Sequence, residues 1–243
     1  LSSSSAASDV YKRQAWKPPT VTLGYFQNIN KEINIEACKK YGISWARRLT
    51  GGRAVLHDSE LTYSVVAPDN HPVMKGSVLQ SYLRLSEGIA AAMRLLGIPA
   101  EVVGKEQLTK GESAACFEAP SWYEIVVEGK KLVGSAQTRK FGAVLQHGSI
   151  PLEIDVGKLY GILNLSDKAK DRLKKNFNNK ACSINDFAAS PVDYDKVKKA
   201  MISGFSDSLG WEFYEADDLL PEEKELVSEL QEKYEGEQWN NLR

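Results

Sequence analysis

Cysteine is scarce in this chain: Cys38, Cys116 and Cys182 are the three in 243 residues. An odd number at wide spacing argues against a disulfide framework, so any thiol chemistry has to be argued from each cysteine's neighbours. Histidine is equally rare. His57, His71 and His147 share no ligand spacing with the cysteines or with an acidic pair, so no metal site is expected. Long apolar runs are missing too, all falling well short of the roughly 18 to 20 residues that span a bilayer. Nothing near the start reads as a charged region, an apolar stretch and a cleavage site, and a cytoplasmic protein is expected. Charge of one sign is lacking: 31 Lys and Arg against 32 Asp and Glu give a net charge of -1 and a pI of about 6.4. No overall field is available to hold a nucleic-acid backbone or an anionic membrane. Neither a Walker-type phosphate loop nor a Gly-x-Ser-x-Gly elbow occurs.

What is present, 42% hydrophobic and 26% charged residues, suits one globular domain or a large domain with a small appendage. Residues 1–15 form a serine-rich stretch without periodicity. The run Asp9-Val10-Tyr11-Lys12-Arg13-Gln14 resembles translated adaptor sequence at the ends of assembled reads, so 1–15 is expected to be non-native or a disordered tail.

From Trp16 onward short apolar runs alternate with amphipathic stretches, the pattern of a mixed α and β domain. Strands are expected at residues 21–26, 43–47, 54–56, 61–66 and 141–150, with a hairpin at 123–138 turning on Glu128-Gly129. A helix capped by Asn30 is expected to carry Ile33, Ile35 and Cys38 on one face. The longest helix is expected at 77–96, ended by Gly97. Beyond Pro151 the balance shifts toward helix, at 166–177, 193–209 and 221–234, with a strand at 211–214. Residues 16–151 are therefore read as the core of the domain and 152–243 as its small helical C-terminal part.

Two runs carry chemistry. Residues 47–58 read Arg-Arg-Leu-Thr-Gly-Gly-Arg-Ala-Val-Leu-His-Asp, in which Gly51 and Gly52 let the backbone turn sharply and approach a ligand. Arg48, Arg53 and His57 add donors for an anionic group. A tight hairpin is the bland alternative. The second run holds Cys116 ahead of the hairpin and Lys131, Gly134, Ser135 and Ala136 on its return strand. A thiolate suits acyl transfer from a thioester, and a cation beside a cysteine lowers its pKa from the usual 8.5 or so. A free cysteine is otherwise most often a small buried hydrophobe, and Cys38 and Cys182 are read that way.

Both runs resemble the lipoate and octanoate attachment family, which shares its fold with biotin protein ligase, and the resemblance continues to Trp239-Asn240. It implies an α+β fold with a mixed central sheet flanked by helices. Arg53 stands where ATP-using lipoate ligases carry a third glycine, so the resemblance is to the octanoyltransferase branch of Gram-positive bacteria. The family's N-terminal strand and helix find no counterpart before Trp16, so a shortened record is expected. In that branch the cysteine matching Cys116 forms an acyl-thioester and the lysine matching Lys131 lowers its pKa. Arg48, Thr50, Gly51, Gly52, Arg53, His57, Gly134, Ser135 and Ala136 are the implied substrate contacts.

The donor implied is octanoyl acyl carrier protein and the acceptor a lysine on the lipoyl domain of the glycine cleavage H protein. No cofactor and a monomer are expected. An ATP-dependent lipoate ligase, an octanoyl amidotransferase between lipoyl domains and a non-catalytic lipoyl-domain binder stay open. The basic run Lys168, Lys170, Arg172, Lys174, Lys175 and Lys180 is either a dock for an acidic carrier or a solvated helix face.

Overall fold

Polar and apolar residues alternate along Glu60-Leu61-Thr62-Tyr63-Ser64-Val65, and that period of two decides which way the largest sheet faces. The computed structural model describes residues 10–104, 123–215 and 221–242. Nine strands among them form two sheets. The larger runs in the order β1 (Val10–Gln14), β5 (Glu60–Pro68), β9 (Ala143–Pro151), β8 (Lys130–Lys140), β7 (Tyr123–Val127) and β6 (Glu101–Gly104). Each neighbouring pair is antiparallel. The smaller holds β2 (Thr20–Leu23) between β3 (Ser44–Arg47) and β4 (Val55–His57), parallel to the first and antiparallel to the second. The α+β architecture is as expected, but the mixed pairing belongs to the small sheet.

One face of β5 offers Leu61, Tyr63, Val65 and Ala67, all buried. Helix α3 (Val78–Leu95) covers that face with Leu85, Ile89 and Met93. Its start is set by a capping box in which Ser77 and Gln80 satisfy each other's backbone amides, and Gly97 just beyond its end has a φ of +78°. Helix α6 (Tyr194–Leu209) crosses α3 where glycines meet: a Cβ on Gly204 would sit 2.6 Å from the Gly88 carbonyl oxygen. Phe205 then packs on Gly88 itself. A second core joins the small sheet to α1 (Ile29–Glu32), α2 (Ile35–Lys40), α4 (Val156–Gly161) and α5 (Asp167–Asn176) through Leu23, Ile33, Cys38, Ile162 and Phe177. The helices after residue 152 thus serve both cores. Two more, α7 (Pro221–Glu235) and α8 (Glu237–Asn240), end the described chain.

Several expectations are adjusted. Residues 10–14 lie in the stretch set outside the fold, yet their backbone pairs with β5 from Val66 to Thr62. The single helix capped by Asn30 is two short helices, capped by Asn28 and Asn34 and broken where Ile33 bridges to Leu163. The first strand stops at Leu23 because Gly24 to Gln27 turns back, with Gln27 N–H donating to Gly24 O at 3.0 Å. Residues 211–214 are not a strand. Trp211 instead stacks on Phe205 with ring centroids 5.5 Å apart, anchoring the segment to α6 by its side chain.

Candidate active site

The polar face of β5 looks into a cavity of about 1060 Å³ between the two sheets. Glu60, Thr62 and Ser64 line it from β5, His147 and Ser149 from β9, Gly134 and Ala136 from β8, and the β3–β4 loop closes one side. Of the residues read as site candidates, Arg48, Gly51, Gly52, Arg53, His57, Lys131, Gly134, Ser135 and Ala136 all line this space. Thr50 is buried behind the loop. Cys116 lies outside the described residues.

The loop is held by its own arginines. Arg48 donates to the Gly51 and Arg53 carbonyl oxygens at 2.8 and 2.7 Å, and to Thr22 O at 3.0 Å. Its planar fork thus fixes the curve of the glycine run, and burial lowers its pKa only to about 10, so it stays charged. Arg47, 4% exposed, donates to the carbonyls of Gly24, Tyr25 and Gln27 and to those of Trp239 and Asn240. It ties the C-terminal helix to the turn at residues 24–27, whose Tyr25 N–H in turn donates to Thr50 O of the loop at 2.8 Å. Gly24 allows the approach, since a Cβ there would sit 2.0 Å from Gly52 O.

Behind the loop runs a polar network. His57 donates from Nδ1 to the buried Glu60 carboxylate at 2.7 Å and shares a hydrogen bond from Nε2 with Thr22 at 2.8 Å. Thr62 and Ser149 hydroxyls also donate to Glu60. Trp16 stacks on the His57 ring at 4.7 Å and donates to Thr62 at 2.8 Å. His147 bonds Thr50 through Nε2 at 2.6 Å. Burial first, then the charges of Arg48 and His57, lower its pKa to about 4, so it is a neutral imidazole at physiological pH.

Lys131 occupies the opposite wall. Its Nζ pairs with Glu124 at 2.6 Å, both side chains largely enclosed, so the ammonium acts with a counter-charge beside it. Its backbone N–H donates to Lys180 O at 2.9 Å. That amide is occupied, and an oxyanion needs other donors. Strand β7 pairs with β8 only as far as Val133, so from Gly134 onward no strand lies on that edge among the described residues. Ser135 accepts from the Tyr63 hydroxyl at 2.7 Å, and Gln146 donates to Tyr63 at 3.1 Å. Gly148 makes room for this, because a Cβ there would lie 2.6 Å from Tyr63 Cε1 and 2.7 Å from Ser135 Oγ.

Cys182 also borders the cavity, but burial pushes its thiol up to about 12. Cys38, fully buried in the second core, is likewise shifted upward by desolvation. Neither ionises near neutrality. Among the described residues no group of His, Cys, Asp and Glu could hold a metal ion, and no helix is long and apolar enough to cross a membrane.

Glu60, His147, Glu124, Trp16 and Thr22 were not assigned to the site from the sequence, where His147 was weighed only as a metal ligand. The signal for Glu60 and His147 was the polar alternation of β5 and β9. Glu124 carried no signal beyond one acidic residue in an apolar strand.

The pattern of the lipoyl protein ligase A/B catalytic domain matches residues 5–206. The octanoyltransferase LipM of Kyrpidia tusciae is 47% identical over 231 residues, spanning 93% of this chain and 84% of that protein. LipM of Bacillus subtilis is 46% identical over 242 residues, spanning 96% and 87%. Among solved structures, the bi-partite lipoate protein ligase of Thermoplasma acidophilum superposes with a TM-score of 0.76 at 29% identity, over 95% of this chain and 82% of that one. A lipoate-protein ligase A bound with ATP gives 0.74 at 29% identity, over 95% and 84%.

Proposed function

The chain belongs to the lipoyl protein ligase A/B catalytic domain family, and from that premise we propose how it works as an octanoyltransferase of lipoate biosynthesis. The observation that carries the activity is the 46–47% identity to LipM octanoyltransferases over nearly the whole chain, against 29% to the ligase structures. Arg53, standing where the resemblance gives ATP-using ligases a third glycine, supports the same choice.

The route we propose is covalent. The Cys116 thiolate attacks the carbonyl of an octanoyl thioester on acyl carrier protein; a sulfur–carbon bond forms on Cys116, the donor's breaks, and the pantetheine thiolate leaves and takes up a proton. The target lysine of a lipoyl domain, the glycine cleavage H protein by resemblance, then attacks as a neutral amine. An amide forms, the Cys116 thioester breaks, and the amine's proton returns to the sulfur. Lys131 is assigned to the thiolate, with Glu124 fixing the ammonium's position. Arg48, Gly51, Gly52, Arg53 and His57 shape the wall against which the acyl chain lies, and Gly134, Ser135 and Ala136 supply the opposite edge. The cytoplasm is the compartment proposed.

Incubation with octanoyl carrier protein and unmodified H protein should give an octanoylated H protein without ATP. Product that appears only with ATP and free acid would replace this reading with that of a ligase.

A further inference from the structure

We propose that the β8–β9 hairpin tip and the neighbouring Tyr25-Phe26 segment form the platform on which the lipoyl-domain acceptor seats; this rests on the reading that such a domain is the substrate. The two-residue turn between Lys140 and Ala143 has φ of +55° at Phe141 and +72° at Gly142, a type I′ turn. Its first central position favours Asn, Asp or Gly, and a bulky ring in the left-handed region is an outlier. The Phe141 ring is also wholly exposed, at 102%. Neither the turn nor a core asks for phenylalanine here.

A second exposed ring stands beside the cavity. Phe26 is 66% exposed, and its ring lies 3.8 Å from where a Cβ on the cavity-lining Gly51 would be. Tyr25 packs edge-on against Phe26 at 5.0 Å, and Lys140 Nζ sits 5.0 Å over the Tyr25 ring, joining the hairpin tip to the loop. Lys140 and the exposed Arg53 give the platform a positive rim. Exposed aromatics flanked by cations fit a folded partner with an apolar spot bordered by acidic residues.

Reach selects the acceptor over the donor. A target lysine has only a four-carbon stem, so the domain bearing it must rest at the cavity mouth. An acyl group on a long pantetheine arm lets its carrier stand farther off.

The test is equilibrium binding of unmodified H protein to wild type, Phe141→Asn and Phe26→Ser, read beside melting temperature and octanoylation of the enzyme by octanoyl carrier protein. Each variant should bind the H protein at least about tenfold more weakly. Phe141→Asn should melt no lower than wild type, because Asn-Gly suits a type I′ turn, and enzyme octanoylation should be unchanged. Equal binding by Phe141→Asn, no binding by wild type, or a loss confined to the donor step would overturn the platform. Binding without any transfer by wild type would instead defeat the functional reading and leave the platform standing.

Discussion

Thr50 Oγ1 and His147 Nε2 lie 2.6 Å apart and join the glycine loop of one sheet to the face of the other. The imidazole's pKa of about 4 lies below its ordinary value of 6.5 because burial and the neighbouring Arg48 disfavour a second proton. As pH falls from 6.5 toward 4 the unfolded chain takes up a proton that the folded chain refuses, so this residue's contribution is present above 6.5 and lost on acidification. Wild type should lose on the order of 2 kcal/mol at this site between pH 7 and pH 5. Urea unfolding at both pH values should show a smaller loss for His147→Gln; an equal loss would place the acid sensitivity elsewhere.

Arg47 and Asn240 form the longest-range tie to the loop, with Arg47 N–H donating to Asn240 Oδ1 at 2.8 Å. Asn240→Ala leaves that amide unsatisfied and should cost about 1–3 kcal/mol in denaturant unfolding. A change below a few tenths would mean the C-terminal helix contributes little to the loop.

Gly24 is the tightest point of the site. Gly24→Ala places a methyl 2.0 Å from Gly52 O, backbone against backbone, and should destabilise by about 1–3 kcal/mol while raising the KM for the octanoyl donor. A variant with wild-type unfolding and KM would contradict the geometry of the loop.

Lys131 and Glu124 should act on Cys116 with opposite signs. Lys131→Gln removes a cation and should slow iodoacetamide alkylation of Cys116 at pH 7 by roughly tenfold for each unit of pKa rise. Glu124→Gln removes the counter-charge and should speed it. Identical rates in both variants would detach Lys131 from the thiol.

Much of this was legible in the sequence because it is local. The hairpin at Glu128-Gly129, the capping box at Ser77 and the glycine run are each written in a few adjacent residues. Arg48, Arg53, His57 and Lys131 were joined by the family resemblance rather than by local rules, and all four line the one cavity. What was not legible depends on distant partners. Arg47 reads as one more motif cation until Trp239 and Asn240 arrive from the far end of the chain. Glu60 reads as a strand-end acid until His57, Thr62 and Ser149 converge on it. The aromatic run 211–214 followed strand propensity, but packing on Phe205 decided its conformation.

The proposed route places the acyl group on Cys116 and on neither of the two buried thiols. Its most direct test is intact-mass measurement after mixing with octanoyl carrier protein in the absence of acceptor, followed by peptide mapping. One octanoyl increment on Cys116, lost on adding H protein and absent from Cys116→Ser, is the predicted result. An increment on Cys182 or Cys38, or transfer that survives Cys116→Ser, would rule out Cys116 as the acyl carrier.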